Sequence, residues 1–219
     1  MAFEFFSRGG PIMWPLLLCS IVALAIAIER ALFLRRVHVD GEKLMRRVNA
    51  CLARDNPAEA KGICEATPGP VAKVLAAALA HPELSKEDLR DSVRAVALAE
   101  VPVLERGLPS LGTVVTVSPL LGLLGTISGL MKVFNVIAGG EIGNYQKLSV
   151  GIAEALITTF AGLSIAIPFL VVYNSLSSRV DSLVNEMEQR VSELLARRVD
   201  GGAMEQGPIL AGAPRGDER

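Results

Sequence analysis

The chain has 219 residues, 51% of them hydrophobic, with a formal charge of −1 and a mean hydropathy of +0.42. The near-neutral balance, with no basic patch interleaved with aromatics, excludes a nucleic-acid partner. A charged fraction of 21% beside so much apolar sequence describes membrane spans joined to one modest soluble region.

A short head, residues 1–10, precedes an apolar run, and residues 11–30 are read as the first transmembrane helix. Gly9 to Ile28 carries no charge, and about 20 residues suffice to cross a bilayer core as a helix. Arg30, Arg35, Arg36, Lys43, Arg46 and Arg47 follow the run, while Arg8 alone precedes it. A cleaved signal peptide carries its positive charge ahead of the apolar stretch. Basic residues near a span end mark the cytoplasmic side. The order here predicts an uncleaved span with its amino terminus outside, anchored at the interface by Trp14.

Residues 31–106 read as a cytoplasmic helical region. Leu44, Val48, Cys51 and Leu52 share one helical face, and Pro57, Pro68, Pro70 and Pro82 divide the segment into short helices. Ser85 and Asp88 form a capping-box pattern that starts a helix at Lys86, with Val93, Val96, Ala97 and Val101 on its buried face. The segment holds no Gly-rich phosphate loop and no nucleophile beside a base. Cys19, Cys51 and Cys64 lack metal or disulfide spacing and read as reduced thiols, and His38 and His81 are isolated. The chain is read as neither an enzyme nor a metal or cofactor carrier.

The second transmembrane helix is placed at residues 107–131, an uncharged run between Arg106 and Lys132. Ser118, Gly122, Thr126 and Gly129 fall on one stripe of small residues at about 100° per residue. Gly125 and Gly129 form a close-packing pair, and Pro119 is expected to kink the helix or release a carbonyl. Residues 132–150 form a short outer loop and the start of the third helix. Residues 151–178 are the third span: nothing between Glu154 and Arg179 carries a charge. Ala155, Thr159, Gly162 and Ala166 share a stripe there, with Pro168 beyond. Apolar residues keep a helical period past the span, from Leu176 through Val180, Leu183 and Met187 to Leu195. The third helix is therefore expected to continue over 179–200 on the cytoplasmic side, about 75 Å from Leu148 to Val199. Residues 201–219, rich in Gly and Pro, are read as a disordered tail.

Ser118-Pro119-Leu120-Leu121-Gly122-Leu123-Leu124-Gly125-Thr126 in the second span, with Gly151-Ile152-Ala153-Glu154-Ala155-Leu156 and then Thr159, Gly162 and Pro168 in the third, resembles the MotA/TolQ/ExbB proton channel family. The resemblance covers both of these spans and the order of elements. It is nearer the ExbB/TolQ branch than the flagellar branch, which usually has four spans. It implies an all-α integral membrane protein with three transmembrane helices, the second and third extended into the cytoplasm as a helical bundle, forming a ring of five copies as in the family.

The resemblance further implies a bacterial inner-membrane motor, amino terminus periplasmic and carboxyl terminus cytoplasmic. By the resemblance, two single-span ExbD/TolR-like partner helices with a membrane aspartate would stand inside the ring, and proton motive force would do work on a TonB- or TolA-like protein. Thr126, Thr159, Glu154 and Ser118 are then assigned to the proton pathway, and Gly122, Gly125, Gly129, Gly162, Pro119 and Pro168 to helix packing and kinks. The alternatives are a passive membrane scaffold and a flagellar or gliding-type stator subunit. A polytopic membrane enzyme would need an Asp, Glu, His or Ser–Lys cluster within the spans, and none is present. Residues 11–28, 107–131 and 155–178 contain no Asp, Glu, His, Lys or Arg at all, so a mid-membrane proton carrier must come from the partner.

Overall fold

The computed structural model describes residues 6, 8–37, 40–81, 83–140 and 144–204, with Lys86 and residues 197–204 described by backbone alone. Among these every regular element is a helix. They are α1 (Met13–Val37), α2 (Gly41–Leu52), α3 (Pro57–Ala66), α4 (Pro70–Ala80), α5 (Lys86–Glu105), α6 (Leu108–Ala138) and α7 (Tyr145–Met204). The all-α expectation holds. Most of the head, His38, Pro82, residues 141–143 and residues 205–219 lie outside the described residues; residues 201–204, read as tail, continue α7.

The chain divides into two compact units, Met1–Arg36 with Pro102–Asp181, and Val37–Val101 with Ser182–Arg219. The first holds the apolar spans. Three of the helices are long and apolar enough to cross a membrane. Leu18, Ile21, Leu24 and Ile28 on α1, Leu124, Ile127 and Phe134 on α6, and Leu156, Phe160 and Ile167 on α7 are all exposed. Such ranks of bare aliphatic and aromatic side chains suit contact with lipid or with further subunits. Trp14 is also exposed and meets Phe6 edge to face, ring centroids 5.0 Å apart.

The second apolar helix, expected to extend into the cytoplasm, is interrupted on that side at residues 106–107. Gly107 adopts φ 81°, a left-handed conformation that ends α5 and begins α6. Arg30 secures the break: it is buried, its Nη1 donates to the Val103 carbonyl at 3.1 Å, and its Nε donates to Glu29 Oε2 at 2.6 Å. A helix end leaves its last carbonyls without amide donors, and a guanidinium is well suited to meet one. Arg30 therefore does more than mark the cytoplasmic side.

The second unit is built from short capped helices. Asp40 accepts the Lys43 amide at 3.1 Å and starts α2; Asn56 accepts the Glu59 amide at 3.2 Å and starts α3. Gly69, at φ 127°, leads into Pro70 at the head of α4. Ser85 starts α5 where the capping pattern puts it: the Asp88 amide donates to its hydroxyl at 3.2 Å, and that hydroxyl donates to Asp88 Oδ2 at 2.6 Å. The core gathers Leu44, Val48 and Cys51 from α2, Cys64 from α3, Val74 and Leu75 from α4, and Leu89 and Val93 from α5. From α7, Leu183 and Met187 are buried as well, and the Glu186 carboxylate lies against Gly41 in the first turn of α2, where a negative charge favours the helix dipole.

Two predictions follow from this unit's packing. Gly62 lies within α3 and a Cβ there would meet nothing within 4 Å. Gly62→Ala should raise stability by about 0.5–1 kcal/mol, the usual difference between these residues in a helix, read as a higher thermal midpoint.

Burial pushes the Cys64 thiol up to about 11, with the neighbouring Cys51 and Glu65 acting in the same direction. The folded chain thus holds this proton more tightly than the unfolded chain. The resulting stability is complete below about pH 9, the ordinary value, and is lost as pH rises toward 11. In the folded protein Cys64 should react with iodoacetamide at pH 8 at least tenfold more slowly than in urea, by mass spectrometry.

Candidate functional site: the seam between α6 and α7

The small-residue stripes of the second and third spans meet each other. A Cβ on Gly122 would touch the Thr158 carbonyl and Thr159 Cα at 3.1 Å; one on Gly129 would lie 2.7 Å from the Gly151 carbonyl and 2.8 Å from Ala155 Cβ. Gly162 faces the Ser118 carbonyl at 2.6 Å and Gly122 Cα at 3.2 Å, and Gly112 faces Tyr173 at 3.3 Å. The order of these pairs makes α6 and α7 antiparallel and brings their backbones into direct contact. Without side chains to interpose, helices approach closely enough for dispersion and polar contacts to replace the hydrophobic effect, which is absent in lipid.

From the middle of α6 onward, Ser118, Gly122, Gly125 and Gly129 are its buried residues, an arc of about 60° at 100° per residue; Leu108 and Leu111 are buried in its first turns. On α7 the buried face comprises Gly151, Ala155, Thr158, Gly162 and Ala166, with Glu154 beside it. Ser118, placed with the pore-lining residues on sequence grounds, is fully buried in the seam, and its hydroxyl donates to the Val114 carbonyl at 2.7 Å. It shares no edge with Thr126 and Thr159. The helices pass unbroken through Pro119 and Pro168.

Thr158 is the residue that sequence reasoning missed. It is 1% exposed, occupies the space left by Gly125, and its hydroxyl is shared between the carbonyls of Glu154 and Ala155 at 3.0 and 2.9 Å. A hydroxyl so bonded to its own helix is satisfied and closed to other partners. The signal was present: Thr158 and Thr159 both lie within about 60° of Ala155 on the wheel, on opposite sides, and the centre of the buried face falls toward Thr158.

Thr159 and Thr126 lie at the rim. The Thr159 hydroxyl crosses the seam to donate to the Gly122 carbonyl at 3.1 Å, while the Thr126 hydroxyl donates to Leu123 in its own helix at 2.7 Å. Each is displaced about 60–70° from the centre of its buried arc, in the same rotational sense. In antiparallel helices equal senses lead to the same side, so both threonines stand on one edge of the seam, about one helical turn apart along it.

Glu154 and Lys132 are displaced in the opposite sense, by about 80° and 50°, and occupy the other edge. Lys132 Nζ donates to both oxygens of the Glu154 carboxylate, at 2.5 and 2.7 Å. The Glu154 residue is 8% exposed. The turn ahead of α1 closes over it: a Cβ on Gly10, which sits at φ +70°, would strike the carboxylate, and one on Gly9 would lie 3.1 Å from Ile157. The four residues assigned to a proton pathway on sequence grounds are thus distributed over three environments: two on one edge, one inside the seam, one on the far edge. Lys132 was legible only as the charge that ends the second span; the antiparallel register that sets Gly129 against Gly151 is what brings it to Glu154. Among the described residues no cluster of His, Cys, Asp or Glu could hold a metal ion.

Gly162→Ala should lower stability by about 1–3 kcal/mol, the usual cost of overpacking, because the atoms its Cβ meets are backbone and cannot turn aside. Gly162→Leu should abolish the α6–α7 hairpin. Thermal melts in detergent check the first; loss of the folded species on size exclusion checks the second.

Comparison with known proteins finds the model of the MotA/TolQ/ExbB proton channel family matching residues 66–189. The chain is similar to the ExbB-like 1 biopolymer transport protein of Synechocystis, at 38% identity over 79% of this chain and 69% of that one. It is similar to the ExbB-like 3 protein of the same organism, at 34% identity over 87% and 92%. It also resembles the Tol-Pal system protein TolQ of Haemophilus influenzae, at 37% identity over 56% and 57%.

Proposed function

From the premise that the chain belongs to the MotA/TolQ/ExbB proton channel family, in its ExbB/TolQ branch, we propose that it is the ring-forming subunit of a proton-driven inner-membrane motor. It is a multi-pass membrane protein and not an enzyme. In this reading several copies, five by family analogy, surround a single-span ExbD/TolR-like partner, and proton entry does mechanical work on a TonB- or TolA-like protein. The amino terminus is periplasmic and the carboxyl terminus cytoplasmic, in keeping with the basic residues that follow the first span.

The observation that carries the reading is the pairing of a charge-free membrane interior with two threonine hydroxyls on one edge of the seam. A proton crossing a dry interior needs titratable groups or water. Residues 107–131 and 155–178 offer no titratable carboxylate, imidazole or amine, and threonine does not titrate. The edge bearing Thr126 and Thr159 therefore lines the path and orients water or the carrier, while the carrier, an aspartate, belongs to the partner. Each charge crossing 100 mV yields about 2.3 kcal/mol, enough to bias two arrangements of partner and ring against each other.

Thr126→Val and Thr159→Val keep the shape and remove the hydroxyl. Each should lower proton-driven work and proton flux at least severalfold in liposomes holding the chain with its partner, without loss of assembly by native mass spectrometry. The chain alone should conduct far more slowly than the complex; equal rates would refute a partner-borne carrier, and no flux in either would favour a passive scaffold.

A further inference from the structure

The Lys132–Glu154 pair lies on the edge of the seam away from the threonines, and the motor reading leaves it without a task. Its geometry is specific. One ammonium meets both carboxylate oxygens, at 2.5 and 2.7 Å, while the carboxyl side chain is 10% exposed and the lysine 51%. A carboxylate so enclosed requires a counter-charge, since leaving it unpaired incurs the full desolvation penalty. Among the described residues three charged groups lie at the outer ends of the elements that pack around it. On α6 there is Lys132; in the turn ahead of α1 there is Arg8, two residues before Gly10; on α7 there is Lys147, two turns earlier. Lys132 is joined to it by an ion pair.

The rest of the α6–α7 seam is made mainly of glycine, alanine and backbone, with the Ser118 and Thr158 hydroxyls bonded to their own helices. Apart from Thr158, seated against Gly125, such a surface presents few knobs to resist rotation and sliding. Among the described residues, Thr159 to the Gly122 carbonyl and Lys132 to Glu154 are polar contacts that cross the hairpin and fix its register. The second sits at the outer end, where the Gly9–Gly10 turn packs over it.

We propose that Lys132 is a positioning residue that acts through Glu154: the ion pair clamps the outer ends of α6 and α7 and thereby holds Thr126 and Thr159 on their shared edge. Glu154 is the fixed half of this clamp, and the proton passes along the other edge. A relay through Glu154 would have to cross the closed glycine seam to reach the threonines, and its carboxylate would have to leave Lys132 in each cycle. The proposal rests on the reading of the threonine edge as the proton path.

The test uses the complex of the chain with its ExbD/TolR-like partner in liposomes, reading proton flux with an internal pH dye across external pH values. Lys132→Met and Glu154→Gln should each lower maximal flux at least tenfold, and the double variant should be no worse than either, since both remove one interaction. The pH of half-maximal flux should stay where it is, because no carrier has been altered. Lys132→Arg should recover at least half the flux. Lys132→Gln, which keeps a donor and drops the charge, serves should Lys132→Met fail to assemble, and should fall between Met and Arg. Wild-type flux in Lys132→Met beside a dead Glu154→Gln overturns the proposal, as does a shifted pH midpoint, since either makes Glu154 a carrier in its own right. Undiminished flux in Thr126→Val and Thr159→Val is a different failure: it removes the threonine path, whatever the clamp does.

Discussion

Close approach of two backbones along one seam is the constraint on which the membrane part of this molecule depends. In water, helices are driven together by removing apolar surface from solvent; in lipid that force is missing, and only contact itself remains. The glycines of α6 and the Gly/Ala face of α7 make that contact possible at distances where a Cβ on Gly162 would lie 2.6 Å from a carbonyl. The larger aliphatic and aromatic side chains are pushed outward by the same arrangement, and stand exposed along both helices.

The seam also sorts the polar residues of the spans. Hydroxyls that fall inside it are consumed: Ser118 and Thr158 bond to their own helices and are sealed. Residues that fall at its rims keep something to offer. One rim carries the two threonines, and the other a salt bridge covered by the turn ahead of α1. A difference of one residue in sequence, Thr158 against Thr159, decides between a packing role and an accessible one.

The three long apolar helices, the start of α5 just after Ser85 and the continuation of α7 past its apolar run were legible because each rests on local signals, namely uncharged runs, a capping pattern and an apolar period. The stripes of small residues were legible as stripes, but a wheel drawn for one helix cannot say where the centre of contact lies. That depends on the partner helix, so Ser118 and Thr126 looked equivalent when one is buried and the other is at the rim. The ion pair between Lys132 and Glu154 needed the register of the hairpin. The break at Gly107 needed its φ, which glycine permits without announcing, and the buried Arg30 that meets the freed Val103 carbonyl lies far away in sequence.

Pro119 has one further effect. Having no amide hydrogen, it leaves the Val115 carbonyl without its helical donor, although α6 continues through it. By the same wheel, Val115 is about 50° from the centre of the buried arc, on the side of Thr126. A carbonyl in hydrocarbon cannot stand bare. A water molecule on this side of the helix, at a level below Thr126, is one group that could meet it. Were a file of water to form along this edge, the carbonyl freed by the proline would offer it an acceptor in a span that has no charge to attract one.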